Sequence, residues 1–294
     1  QDFVIAIEDL GFRLDRIKLR GAKGTTGTQA SFLNLFDGDA EKVETMDNLI
    51  AQKLGFDKKN LIQIVGQTNP RINDASLISS VCLIASAASK FANDIRLLSS
   101  KRELSEGFAY DSQVGSSAMA YKQNPITCEK ICSLSRYLIS LIQNPYHTAS
   151  NQWMERTLDD SANKRLLFPE VFILADEILD SVISVVSGVQ VNTEIIEKNY
   201  KEELPFFITE NVIIEAVIKN GISRQDAHEE IRKLAVETKG RVASGKPNNL
   251  VYRISRKKMF RNINVKEMLD LNYTGLAKEQ TQKYINNIVT PIRN

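Results

Sequence analysis

Cysteine, histidine and tryptophan are nearly missing from this sequence: it holds three, two and one of them. Cys82, Cys128 and Cys132 are too few, and odd in number, for a disulfide framework. That usage argues for a reducing compartment, and the cytoplasm is the expected location. Cys128 and Cys132 lie four apart on a predicted helix, but no further ligands cluster near them. A structural zinc ion needs four ligands, so no metal site is expected. Net charge is nearly absent too. Lys and Arg number 38 against 36 Asp and Glu, leaving +2, which offers no footprint for nucleic acid or an anionic membrane. No uninterrupted run of about 18 apolar residues occurs, so no membrane span is expected. Signal-peptide patterning, low-complexity segments and internal repeats are not found. Gln1 leads straight into helical patterning with no Met or cap before it, which reads as a chain lacking its natural beginning.

What is present is helix after helix. The composition is ordinary for a globular protein, 43% hydrophobic and 25% charged. Phe3, Ile7, Leu10, Leu14 and Ile17 recur at helical spacing. Residues 74–99 carry Leu77, Val81, Ile84, Ala88, Phe91, Ile95 and Leu98 in one stripe, with Asp74 as candidate cap. At 1.5 Å per residue that helix would run roughly 35–40 Å. Residues 125–142 repeat the pattern, with Asn124 as N-cap and Pro125 as first helical residue, and residues 169–187 give a third stripe. Helices of this length belong in a bundle. Past Ser187-Gly188 the helices shorten and turns multiply, at Glu203-Leu204-Pro205, Asn220-Gly221 and Gly245 to Asn249. Ser223 caps a further helix. The expected fold is all-α: a long-helix bundle domain over 1–192 and a smaller C-terminal helical domain over 193–294.

Three segments stand out as candidates for chemistry. Arg20-Gly21-Ala22-Lys23-Gly24-Thr25-Thr26-Gly27-Thr28-Gln29 offers backbone N–H groups, hydroxyls and a lysine just before a helix over 29–36. Such a helix start attracts anions; the Gly-Lys-Ser/Thr order of a P-loop is absent, and a flexible turn fits the composition equally. In Gly115 to Pro125, serines sit beside Lys122 and the start of a helix. Both would stabilise an oxyanion or an alkoxide, and serine needs such activation; a serine-rich surface loop is the other reading. In Glu155 to Arg165, two arginines nine apart suit carboxylate and phosphate; a salt-bridged helix start capped by Asp160 or Ser161 is the alternative. His147, in a predicted interhelical loop, and His228, on a charged helix, adjoin no nucleophile and read as surface or capping residues. Arg256-Lys257-Lys258 reads as a solvated face.

Taken together, Gly115-Ser116-Ser117-Ala118-Met119 with Lys122, Asn124 and Pro125 resembles the signature loop of the fumarase/aspartase superfamily. Within it the chain resembles the adenylosuccinate lyase family, closest to its animal-type enzymes. That likeness rests on Lys23 to Gln29, on Glu155-Arg156-Thr157-Leu158-Asp159-Asp160-Ser161-Ala162-Asn163, and on Glu203-Leu204-Pro205-Phe206 with Glu210-Asn211. The resemblance implies a homotetramer with sites shared between subunits. It also implies two β-eliminations of fumarate, from adenylosuccinate to give AMP and from SAICAR to give AICAR, with no cofactor. Ser116 would be the general base. Lys122 and Asn124 would hold the aci-carboxylate dianion, helped by the helix dipole. Gln29, Glu129, Lys130, Arg156, Ser161 and Arg165 would bind substrate. Ala120, Gln123 and Lys130 depart from the family pattern; lysine in place of arginine at Lys130 keeps charge but loses the fork. The family's general-acid histidine matches neither His147 nor His228 and is expected in an upstream segment, so this chain alone is expected to be inactive. A sibling such as argininosuccinate lyase, or a non-catalytic structural relative on the same bundle, are the alternatives.

Overall fold

Alanines recur along the buried face of one of the two longest helices and set how closely its neighbours approach. In a computed structural model, which describes residues 1–107, 124–271 and 273–293, helix α4 (Ile72–Ser100) buries Ala75, Ile78, Val81, Cys82, Ala85, Ala88, Ala92 and Ile95 on one face. The alanines let neighbouring backbones approach, and the branched residues fill the gaps between them. Packed on this face are α1 (Asp2–Leu14), α5 (Ile126–Ser140) and α7 (Asp159–Gly188). α5 contributes Cys128, Ile131, Cys132 and Leu138; α7 contributes Leu167, Val171, Ile178, Val182 and Val185. With 29 residues, α4 spans about 43 Å, somewhat beyond the length expected from its stripe.

Although no uninterrupted apolar run exists, α4 is long and apolar enough by composition to cross a membrane; half of its most apolar window is buried inside the protein. Its apolar surface therefore serves as the centre of a helical core. Two short helices, α2 (Ala30–Leu35) and α3 (Ala40–Lys53), precede it, and α6 (Gln143–Ser150) links α5 to α7. A small antiparallel pair, β1 (Leu104–Ser105) with β2 (Gln190–Val191), joins Leu104 to Val191 and Ser105 to Gln190.

The chain divides into two compact units, Gln1–Val191 and Asn192–Asn294. The second is built on α8 (Thr193–Phe207), α9 (Thr209–Asn220), α10 (Arg224–Ala243) and α11 (Leu250–Ser255). Its own core holds Leu204, Ile208, Val212, Ile231, Leu234, Ile254 and Phe260. Gly221, at φ 62°, ends α9 in the left-handed conformation that glycine adopts without penalty. Helix α12 (Ala277–Tyr284) lies near the C-terminus.

Several boundaries differ from the sequence reading. α5 begins one residue later than expected, so Pro125 is the cap residue and Asn124 makes no side-chain cap. Asp74 sits inside the first turn of α4 and bonds Lys164 instead of capping. His147 lies within α6 rather than in a loop. α7 begins ten residues earlier than its apolar stripe and contains Pro169; its cap position is Leu158, not Asp160 or Ser161. Likewise Glu203-Leu204-Pro205 is not a turn: Pro205 lies inside α8. In each helix tertiary packing carried the backbone past a proline whose local preference is to stop it.

Candidate functional site

Arg20 organises the Gly/Thr-rich segment before any ligand is considered. From Nη2 it donates to Gly24 O at 2.6 Å and to Gly66 O at 2.9 Å, and from Nε to Gly66 O at 3.2 Å. Gly27, at φ 83°, comes so close to the 63–67 segment that a Cβ would lie 1.7 Å from Val65 O. Only glycine permits that approach.

Asp47 holds the same loop from α3, and it is 3% exposed. Oδ1 accepts from Ala22 N at 2.7 Å, and Oδ2 lies 2.7 Å from Lys23 Nζ. A Cβ on Gly21 would meet Asp47 Oδ1 at 2.3 Å. Lys23 is thus tied into a buried pair and is not the open cation that the composition suggested. Gln29, at φ 60°, is strained for a non-glycine residue. Its backbone N–H donates to Lys23 O at 3.0 Å and its Nε2 to Ala22 O, also at 3.0 Å. Beside it opens a cleft of about 400 Å³, lined among others by Lys23, Thr28, Gln29, Leu33, Asp47 and Lys58.

The 155–165 segment joins this assembly through residues 66 and 67. Gln67 N donates to Glu155 O at 3.3 Å, and Arg156 Nη1 to Gln67 Oε1 at 3.4 Å. A Cβ on Gly66 would lie 2.5 Å from Glu155 O. Arg156 faces Asp160, which is 1% exposed and also pairs with Arg71. Arg71 reaches Asp74 at 3.6 Å, and Asp74 pairs with Lys164. One turn on, Arg165 Nη1 donates to Ser161 Oγ at 2.9 Å. Gln29, Arg156, Ser161 and Arg165 therefore belong to one connected set of segments.

Asn124, Glu129 and Lys130 belong to another. Glu129 and Lys130 are exposed on the first turns of α5. Lys130 Nζ lies 2.7 Å from Glu177 Oε1 and, as its hydrogen-bonding cation, holds that carboxyl below the usual carboxylate range. Glu177 is twelve residues beyond Arg165 on α7, or about 18 Å along the helix axis. Ser116 and Lys122 lie outside the described residues.

The expected help from the α5 dipole is corrected by the structure. Glu106, 4% exposed, accepts from Thr127 N and Cys128 N, each at 2.9 Å. Ile126 N and Glu129 N are bonded to Asn124 O and Pro125 O. The first N–H groups of α5 are filled, and a carboxylate already sits on the positive end of the helix. Burial first, and Glu106 second, push the Cys128 thiol up to about 12; burial pushes Cys82 up to about 11. Cys128 and Cys132 are buried free thiols facing the core.

Sequence reasoning missed Asp47 and Glu106. Asp47 left a signal, since it occupies the buried stripe Val43, Asp47, Ala51 of α3, and a carboxylate at a core position is informative. Glu106 left none, because its partners lie 21 and 22 residues away.

Known proteins match both parts of the chain. The family model described as "Lyase" covers residues 37–139, and "Adenylosuccinate lyase C-terminus" covers residues 205–284. An adenylosuccinate lyase of Schizosaccharomyces pombe is 45% identical over 99% of this chain and 59% of its own length. One of Schistosoma mansoni is 38% identical over 99% of this chain and 61% of its own, so the likeness extends across fungal and animal enzymes. A solved structure, the 3-carboxy-cis,cis-muconate lactonizing enzyme of Pseudomonas putida, superposes with a TM-score of 0.72 at 18% identity, over 97% of this chain and 62% of that one; it attests the fold. The chain spans about three-fifths of the length of these relatives. By these matches the chain carries a lyase domain and an adenylosuccinate lyase C-terminal domain, and it is a homologue of adenylosuccinate lyases over nearly its whole length.

Proposed function

We propose that the protein of which this chain is part eliminates fumarate from adenylosuccinate and from SAICAR in purine nucleotide synthesis. A base takes a proton from the succinyl carbon beside a carboxylate, and the electron pair is held as an aci-carboxylate dianion. The C–N bond then breaks with its electrons leaving on nitrogen, where an acid delivers a proton. Ser116 is assigned as base. Lys122 and Asn124 are assigned to the dianion, now without the α5 dipole. Gln29, Arg156, Ser161 and Arg165 are assigned to one part of the substrate, and Glu129 and Lys130 to another. The general acid is assigned to a histidine outside these residues, since neither His147 nor His228 falls where the resemblance implies one. No cofactor is required by this chemistry, and the cytoplasm is the proposed compartment.

One observation carries the reading. Among the described residues the assigned ones fall into two groups, one ending at Arg165 and one paired to Glu177, which lies about 18 Å further along α7. Copies of the chain that pack side by side would bring one group against the other. Exposed Leu97, Leu166, Ile173 and Ile183 on α4 and α7 provide apolar surface for such packing, in the proposed homotetramer. The test is incubation with adenylosuccinate, monitoring AMP and fumarate, alone and with the upstream segment of a relative added. Turnover only with the segment supports the reading. Turnover by the chain alone removes the external acid from the scheme, and no turnover in either case overturns the function.

A further inference from the structure

The geometry points to Asp47 as a positioning residue that fixes Gln29 as a hydrogen-bond acceptor toward the ligand. The inference rests on the proposed site and adds the sense of one contact within it. The side-chain amide of Gln29 carries a donor arm and an acceptor arm, and its surroundings decide which faces where. Nε2 lies 3.0 Å from Ala22 O and 3.5 Å from Asp47 Oδ2. Both of those atoms can only accept while Asp47 is charged. The NH2 arm must therefore point at them, and the reverse orientation would set oxygen against two oxygens. Among the described residues no hydrogen bond reaches Gln29 Oε1, and Gln29 lines the cleft. Oε1 is the arm left for a ligand.

Asp47 enforces this orientation twice. It offers Oδ2 directly, and through Oδ1 it pins Ala22 N at 2.7 Å, which fixes the peptide chain whose carbonyl receives the Gln29 amide. Lys23 balances its charge at 2.7 Å. Gly21 supplies the room, since any Cβ there would strike the Asp47 carboxylate. An acceptor at Oε1 does not suit a carboxylate or a phosphate oxygen, which also accept. It suits an N–H or O–H group, and on a purine ribonucleotide these are the exocyclic amine and the ribose hydroxyls. In this reading Gln29 recognises the nucleoside part, and the succinyl and phosphate groups fall to other residues.

The test uses the assembled, full-length enzyme with adenylosuccinate as substrate, AMP as the reference competing ligand, and purine riboside 5′-monophosphate, 2′-deoxy-AMP and 3′-deoxy-AMP as its analogues. Asp47→Asn should raise KM about tenfold while kcat changes less than about threefold. Gln29→Met should do the same, and the double variant should be no worse than the worse single, because both break one link. Each analogue lacks one donor, and in Gln29→Met the affinity penalty of one of them should vanish. Multiplying effects of the two variants, or survival of all three penalties, would overturn the proposal. So would a fall in kcat and melting temperature for Asp47→Asn with KM unchanged, since that is a purely structural role. If the wild-type enzyme releases no fumarate, the functional reading fails by itself. Hydrogen exchange of the Gln29 side-chain amide then decides the positioning claim: slow in wild type and faster in Asp47→Asn upholds it, and equal rates refute it.

Discussion

Two buried carboxylates, Asp47 and Glu106, are accommodated in different ways, and the difference separates the two halves of the proposed site. Asp47 is held by an ammonium group, Lys23, with one backbone N–H and the Gln29 amide around it. Among the described residues no cation pairs with Glu106. Two backbone N–H groups at the start of α5 hold it, with the positive end of the helix behind them. The first arrangement uses up a lysine and leaves a glutamine carbonyl for the cleft. The second uses up the first backbone N–H groups of a helix. A motif rich in Lys and N–H groups is therefore not an anion site until its internal partners have been counted.

The comparison is broken most directly by truncating Asp47. Asp47→Ala leaves Lys23 buried without its partner, and the expected loss is about 3–5 kcal/mol in a denaturant titration. A loss under about 1 kcal/mol would mean that Lys23 swings into solvent and that the pair is not structural. Next in size is Gly27→Ala, expected to destabilise by about 2–3 kcal/mol through its positive φ and its contact with the Val65 carbonyl. A neutral result in the same titration would show that the loop can part from the 63–67 segment.

Glu106→Ala leaves two N–H groups buried and is expected to lose about 1–3 kcal/mol. Glu106→Gln sharpens the comparison through Cys128. In the fold the thiol stays protonated to about 12, whereas an ordinary thiol ionises near 9.0. Its folded value is raised, so its contribution to stability is complete below that ordinary value and is lost as pH climbs through the window between the two. Alkylation of Cys128 against pH should show the midpoint falling in Glu106→Gln, yet staying above the ordinary value because burial is the larger cause. An unchanged midpoint would remove Glu106 from the neighbourhood of that thiol.

The smallest effect belongs to the exposed pair of Lys130 and Glu177. Lys130→Ala should move the melting temperature by less than about 2 °C. It should also let the Glu177 carboxyl rise toward its ordinary value in a carbon-13 NMR titration, since the depression comes from Lys130. A large thermal shift would mean that this pair fixes α5 on α7, contrary to its exposure.

The helical class and the long apolar stripes of α4, α5 and α7 were legible in the residues alone. These properties are local: apolar residues three and four apart share a helix face whatever lies opposite. The third stripe was read from 169 onward and Glu203-Leu204-Pro205 as a turn, because local preference amounts to a few kcal/mol and packing along α7 and α8 exceeds it. What the motif segments are free to do depends on partners brought in from elsewhere in the fold. Lys23 is neutralised from a helix 24 residues away, the start of α5 is filled from Glu106, and the proposed binding residues among those described fall into two groups. Hydrogen bonds and ion pairs depend on distance in space, and the spacing of residues along a chain does not contain that distance.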